Sequence, residues 1–241
     1  MAKKGQRRHL KRFALPVPLR MPRKSAVWAV KPRPGPHPAG KSMPLLLAVR
    51  DTLGLARTAG EAKRVLAGGQ VSVDARTRRD PKFPIGLMDV VQILTLGKYY
   101  RVLYDRKGRL ALHEIPKEEA SFKLCRIVRK SVVKGGQVQL AFHDGKTSAG
   151  NFKEFSLHDT AKVTLPDFKV SERIEFMEGA KALVTGGTNV GRVGEIDGVR
   201  HMSGRQPDLI DLKEASEHFQ APKNHVFVIG KGDPLISVPG G

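Results

Sequence analysis

Gly186 and Gly191 lie in VTGGTNVGRVGEID, Val184 to Asp197, with the spacing Gly-x-x-x-x-Gly. That is the spacing of a loop whose backbone amides cradle phosphate. The chemistry next requires a lysine to reach the outer phosphates and a serine or threonine hydroxyl for magnesium. Arg192 and Val193 stand in those places. A helix must also follow, yet EIDGVRHMSGRQPDLIDL brings two early glycines and a proline. The phosphate cradle fails. A strand ending in ALVTGG and another opening with RVGEI suit the residues better, with Gly191 and Gly194 permitting positive φ or tight backbone approach.

No other grouping supplies a reaction. Cys125 is the single cysteine, so an internal disulfide or a site of several thiolates is excluded, and its neighbours FKLCRIV predict a buried core thiol. His113 in HEIPK lacks the second histidine that a zinc helix would place at Lys117. No serine occupies a Gly-x-Ser-x-Gly elbow. The expectation is a protein with no catalytic residue, no metal, no cofactor and no small-molecule substrate.

The charge says more. Forty-three Lys and Arg face 23 Asp and Glu, a formal net charge of +20, which suits a polyanionic partner such as nucleic acid. No apolar run reaches the roughly 18 residues of a membrane span, and MAKKGQRRHLKR lacks the apolar centre of a signal peptide. A soluble intracellular chain without a membrane partner is expected. Residues 1–50 hold 13 basic side chains and no acid, leaving 30 basic and 23 acidic in the rest. The same segment carries Pro16, Pro18, Pro22, Pro32, Pro34, Pro36, Pro38 and Pro44. Met21 to Lys41 should therefore be extended. Such an arm has no acidic counterpart of its own to fold against, and it can lie along phosphates while counterions leave. Trp28, Phe13 and His37 punctuate it and can stack on unpaired bases. For Trp28, an anchoring role against the body stays equally open.

The elements that must position these cations are partly explicit. Leu45, Ala48, Val49, Thr52 and Leu53 mark one helix face, closed by Gly54. TAGEAKRVLAGG opens with a capping box between Thr58 and Glu61 and sets Ala62, Val65 and Leu66 on one side, Lys63 and Arg64 off it. Strands follow at VSV and VVQIL around a broad basic turn with Pro81, Pro84 and Gly86. Beyond Lys98, KYYRVLYDRKGRLALHEI predicts a hairpin turning at Asp105 to Gly108, PKEEASFKL a short helix, and LCRIVRKSVV, QVQLAFHDGK, AKVTL and RIEFM short strands of a small barrel or twisted sheet. Tyr99, Tyr100 and Tyr104 are expected to pack rather than stack on bases.

The helix, capped helix, VSVD, basic turn and GLMDVVQI resemble the S-four RNA-binding domain over some 60 residues. That likeness implies an RNA-facing role for Arg57, Lys63, Arg64, Arg76, Arg78 and Arg79. LVTGGTNVGRVGEI resembles a KOW motif. With GQRRHLKR, RPGPH, GLMDV, RVLYDRKGR, KLCRI and NHVFVIGKG in the same order, the chain is similar to the ribosomal protein family S-four-e of the small subunit. The resemblance implies an α+β, multi-module protein: an extended basic arm (1–42), an S-four domain (43–105), a central β module (106–175) and a KOW-containing barrel-like module (176–241). It implies a structural role in the cytoplasmic ribosome, with small-subunit rRNA and neighbouring small-subunit proteins as partners. The missing basic C-terminal extension points to an archaeal source, and the region NFKEFSLHDTAKVTL is less alike. Expected RNA contacts are Lys3, Lys4, Arg7, Arg8, His9, Lys11, Arg12, Arg20, Arg23, Lys24, Trp28, Arg33 and Lys41 in the arm, the six S-four positions, Lys82 and Arg192. The alternatives are a free translation or transcription factor and an RNA-modifying enzyme, the latter without a domain to hold its chemistry.

Overall fold

The computed structural model describes residues 9–19, 21, 24, 26–133, 135–204, 206–214 and 217–238. Among these, three five-stranded antiparallel sheets and two small ladders carry the α+β architecture, with one capped helix and a few short turns of helix. Lys3, Lys4, Arg7, Arg8, Arg20 and Arg23 lie outside the described residues.

The helix expected from Leu45 is α-helical over Leu45–Leu47 and widens into a π turn over Ala48–Thr52, where Leu53 N–H donates to the Ala48 carbonyl. Leu46 and Leu47 are buried along with Leu45, Ala48 and Val49, so the segment is enclosed on more than the one predicted face. The second helix, Ala59–Ala67, has its predicted capping box. Thr58 Oγ1 accepts from the Glu61 amide at 3.2 Å, and the Glu61 carboxylate accepts from the Arg57 and Thr58 amides. Those two backbone donors hold the Glu61 pKa below its usual range. Ala62 and Leu66 are fully buried while Lys63 and Arg64 are exposed.

The helix packs beside a sheet ordered Arg76–Thr77, Val71–Val73, Val90–Ile93, Lys98–Tyr104 and Leu110–Ile115. The last two strands form the predicted hairpin and continue the sheet past residue 105. Asp105 Oδ1 closes the turn by accepting from the Lys107 and Arg109 amides. The central sheet runs Thr147–Gly150, Val138–Phe142, Phe122–Val132, Thr160–Thr164 and Val170–Ile174. Its long strand shifts register between Ile127 and Arg129, pairing with Thr160–Thr164 through its first half and with Val138–Phe142 through its second. A bulge of that kind adds twist and curls a sheet toward a barrel. The helix expected in PKEEASFKL shrinks to a 3-10 turn, Glu119–Ser121, because Phe122 already begins pairing with Thr164.

The C-terminal sheet is ordered Glu217–Pro222, Leu209–Glu214, Val193–Arg200, Ala180–Val184 and Val226–Lys231. The glycine-rich stretch joins two antiparallel strands, Ala180–Val184 and Val193–Arg200, as expected. Gly191, at φ +79°, sits directly on the Asp105 carbonyl, where any Cβ would clash. The main apolar core merges the helices, the first sheet and the C-terminal sheet, while Cys125, Ile127, Leu140 and Val163 belong to a smaller core of the central sheet. Cys125 is fully buried, and desolvation pushes its thiol pKa well up.

Candidate RNA-binding surface and the charge hub beneath it

The arm is not the free ribbon its composition implied. Leu10–Lys11 pairs with Trp28–Ala29, Leu19 enters the main core, and Ser42–Pro44 pairs with Pro84–Gly86. His37, expected to offer its face to bases, is buried instead. Its Nε2 lies 3.0 Å from both carboxylate oxygens of Asp89, and Gly86 leaves the space that its ring fills. Arg33 Nη1 reaches Asp80 at 2.9 Å, and its amide donates to the Lys82 carbonyl. The body supplies the acids that the arm lacks.

Trp28 is 56% exposed and stands beside the His9 ring at 5.6 Å. Phe13 is exposed as well. Of the other expected contacts, Lys11, Lys24, Lys41, Arg57, Lys63, Arg64, Arg76, Arg79 and Lys82 are exposed, with no carboxylate within 4.0 Å of the side-chain cation among the described residues. The fold gathers several of them. Lys63 and Arg64 ride the outer side of the capped helix, and Arg79 folds over Gly69 just past that helix's end. Arg76 opens the neighbouring edge strand, and the Arg33–Asp80 pair ties the arm beside Lys82.

Three expected contacts do other work. Arg12 is buried with its Nε unpartnered, and Arg78 stacks on Phe83 at 4.5 Å with its Nε also enclosed. Arg192 is clamped by Glu214 and Glu217, both at 2.6 Å, over the Phe219 ring; the Glu214 hydrogen bond, then the Glu217 one, raise its pKa. An arginine already holding two carboxylates is a brace between strands, not an open cation.

Beneath this surface lies a cluster that local patterns did not signal. Lys123, fully buried, donates from Nζ to Asp74 at 2.9 Å, to Asp144 at 3.1 Å and, most closely, to Asp89. Lys146 adds a second cation, 3.0 Å from Asp74. Asp74 sits at φ +50° and Ala75 at φ +59° in the two-residue turn VDAR, the geometry of a tight hairpin. His37 from the arm, Asp74 and Asp89 from the first sheet, and Lys123 and Asp144 from the central sheet thus share one network. Desolvation works against the charges of Asp89, Asp144 and Lys123, yet the attraction of Lys123 holds the Asp89 and Asp144 pKa values below the usual carboxylate range, and these acids in turn raise that of Lys123. Arg101, also fully buried, is matched by Glu119, which in turn accepts from the backbone and side chain of Ser237.

Among the described residues no group of His, Cys, Asp and Glu is arranged to hold a metal, and no helix is long and apolar enough to cross a membrane. What the fold and surface define is a multi-module α+β protein with acid-paired cations such as Lys123 and Arg101 inside it and, among the described residues, exposed cations without an ion pair on its arm, capped helix and basic turn.

Comparison with known proteins makes the class specific. The family described as "Ribosomal family S4e" matches residues 96–170, the "S4 domain" 44–91 and the "RS4NT (NUC023) domain" 4–40. The small ribosomal subunit protein eS4 of Methanothermobacter thermautotrophicus is 44% identical over the whole of both chains. That of Aeropyrum pernix is 44% identical over 100% of this chain and 99% of its own. The crystal structure of 30S ribosomal protein S4e from Thermoplasma acidophilum superposes with a TM-score of 0.70 at 39% identity, covering 79% of this chain and 96% of that one. The chain belongs to the ribosomal protein family S4e. It is a structural protein of that family and not an enzyme.

Proposed function

We propose that this chain is a structural constituent of the small ribosomal subunit, held on rRNA by the open cations of its arm and of its capped helix and hairpin. One observation supports this most: the buried cations Lys123 and Arg101 have acidic partners, whereas Lys63, Arg64, Arg76, Arg79 and Lys82 project with no ion pair among the described residues. Clustered free cations raise the local potential seen by a polyanion, and phosphate neutralisation releases condensed counterions. Neighbouring small-subunit proteins complete the surroundings, and the place of action is the ribosome of the cytoplasm. His9, Lys11, Lys24, Trp28, Arg33, Lys41 and Arg57 extend the contact surface, as do the arm cations Lys3, Lys4, Arg7, Arg8, Arg20 and Arg23. The KOW reading of the glycine turn belongs to this proposal. So does the division into 1–42, 43–105, 106–175 and 176–241, although the pairing of Leu110–Ile115 with Lys98–Tyr104 favours a second boundary after Ile115.

The test is binding of the full chain to purified small-subunit rRNA of Methanothermobacter thermautotrophicus across a salt series. About six phosphate contacts give a log–log slope of roughly −4. A flat response, or release from small subunits in a high-salt gradient, would remove the basis of the proposal.

A further inference from the structure

The strand that carries Lys123 carries a second desolvated cation three residues on. Arg126 is half-buried, and burial lowers its pKa, yet no carboxylate lies within 4.0 Å of it among the described residues. Its Nη1 donates only to the carbonyls of Asn224 at 2.6 Å and Val226 at 3.2 Å. A guanidinium taken out of water without a counterion is costly, and around Arg101 and Lys123 that cost is met by acids. The guanidinium lines a cavity of about 160 Å³ where the arm, the first sheet, the central sheet and the C-terminal sheet meet. Lys41, exposed and without an acidic partner among the described residues, lines it too.

The rest of the lining is mostly aromatic and apolar, with Thr185 as the exception. The His143 ring meets Phe227 edge-on at 5.3 Å. His143 is neutral: burial, then Lys123, lowers its pKa to about 3, its Nδ1 accepts from the Arg126 amide and its Nε2 faces the Leu87 carbonyl at 3.1 Å. Tyr104 contributes a hydroxyl with no hydrogen-bond partner among the described residues. Nearby His225 has its pKa lowered by burial and then by Lys41 and Arg126.

We propose that this cavity receives one extruded pyrimidine of the bound RNA, its base among Phe227, His143 and Tyr104 and an adjoining phosphate on Arg126 and Lys41. The inference rests on the rRNA-binding reading above. Size chooses the occupant: an engineered cavity of about 150 Å³ holds a single benzene ring, whereas sites for larger organic ligands begin near 300 Å³. Splayed bases seated on aromatic side chains are a common mode of RNA recognition, and the paired positive side chains select a phosphodiester over a neutral ring.

The experiment uses small-subunit rRNA of Methanothermobacter thermautotrophicus transcribed with 4-thiouridine, bound to the full chain and irradiated, with cross-linked peptides mapped by mass spectrometry. Cross-links are expected on the peptides holding Tyr104, His143 or Phe227. Val128→Trp, at an exposed strand position on the cavity's edge, should abolish them and weaken binding about tenfold, the scale of one stacked base. Arg126→Met is the second variant, for which the same losses are expected with an unchanged melting midpoint. RNA bound at wild-type strength by both variants, with cross-links confined to the arm and the capped helix, would overturn the inference and leave the function standing. An absence of RNA binding by the unaltered chain would instead sink the function and the inference together.

Discussion

Lys123 and Arg126 are neighbours on the strand Phe122–Val132, both withdrawn from water, and the fold provides for them in opposite ways. Around Lys123 converge Asp74, Asp89 and Asp144, drawn from two sheets. Around Arg126 there are two carbonyl oxygens and an open cavity. A buried charge pair rarely stabilises more than well-packed apolar side chains would, but removing one partner leaves the other stranded. The Lys123 network is therefore best understood as a fastener: it fixes how arm, first sheet and central sheet meet, because only that arrangement satisfies every member. At Arg126 the missing counter-charge is left for something outside the chain. Closed charge sets the geometry, and open charge meets the partner.

The strongest way to break this contrast is Lys123→Met. With the cation gone, Asp89 keeps His37, and Asp74 and Asp144 keep Lys146 as their one cation among the described residues. The expected loss is about 3–5 kcal/mol, the range for stranding a buried charge, measured by urea denaturation. Adding Asp89→Asn should restore part of it. If Lys123→Met unfolds at the same urea concentration as the parent chain, the hub is ornamental and the distinction from Arg126 collapses.

What could be anticipated from the residues divides along the same line. The capping box was legible because Thr58 and Glu61 are three residues apart and both halves of the motif are local. The glycine turn between Ala180–Val184 and Val193–Arg200 was legible because the residues after Gly191 ruled out its rival. Free cations were legible in kind, since an arm without acids announces its charge, but which of them stay free was not. Arg192 finds Glu214 and Glu217 across neighbouring strands, and His37 finds Asp89 52 residues away. Lys123 bonds acids 49, 34 and 21 residues distant, and no periodicity within FKLCRIV encodes them. The overlapping stretch PKEEASFKL looked helical because EEASFKL favours a helix locally, while pairing of Phe122 with Thr164 prevailed. Charge that works through long-range pairing is invisible until topology brings the partners together.

A titration sharpens the comparison at smaller scale. His143 takes up its proton near pH 3 in the folded chain but near 6.5 when unfolded. Between those values the unfolded state binds more protons, so stability must fall as pH falls. His158 and His225 are depressed by burial first and by cationic neighbours second, and they act in the same direction. The lowered carboxylates Asp89 and Asp144 add their loss only below about pH 4, where unfolded acids protonate. Raised Lys123 behaves conversely, contributing fully below its unfolded value of about 10.4 and losing that contribution as pH rises through its folded one. Thermal midpoints should thus be level from about pH 7 to 10 and begin to drop near 6.5. His143→Gln, whose amide can still donate to Leu87, should flatten the upper part of that drop. A midpoint constant down to pH 4.5 would mean that these rings are not held neutral.

The finest test sets one closed cation against one open one on the outer surface. Arg192, partly exposed and clamped by Glu214 and Glu217, should lose about 1 kcal/mol of stability as Arg192→Met, a small figure because water screens such pairs. Its effect on RNA affinity should be slight, since its charge is already neutralised within the chain. Arg64, exposed on the capped helix with no ion pair among the described residues, should behave in reverse as Arg64→Ala. Stability should hold, while the salt-dependence slope for rRNA becomes shallower by about 1, as removal of a single phosphate contact predicts. The two variants, measured side by side by denaturation and by salt-dependent binding, separate the roles without disturbing the core. Were Arg192→Met to flatten the slope and Arg64→Ala to leave it intact, the rule that unpaired cations mark the RNA side would be reversed at the surface, and the brace on Phe219 would have to be counted among the RNA contacts.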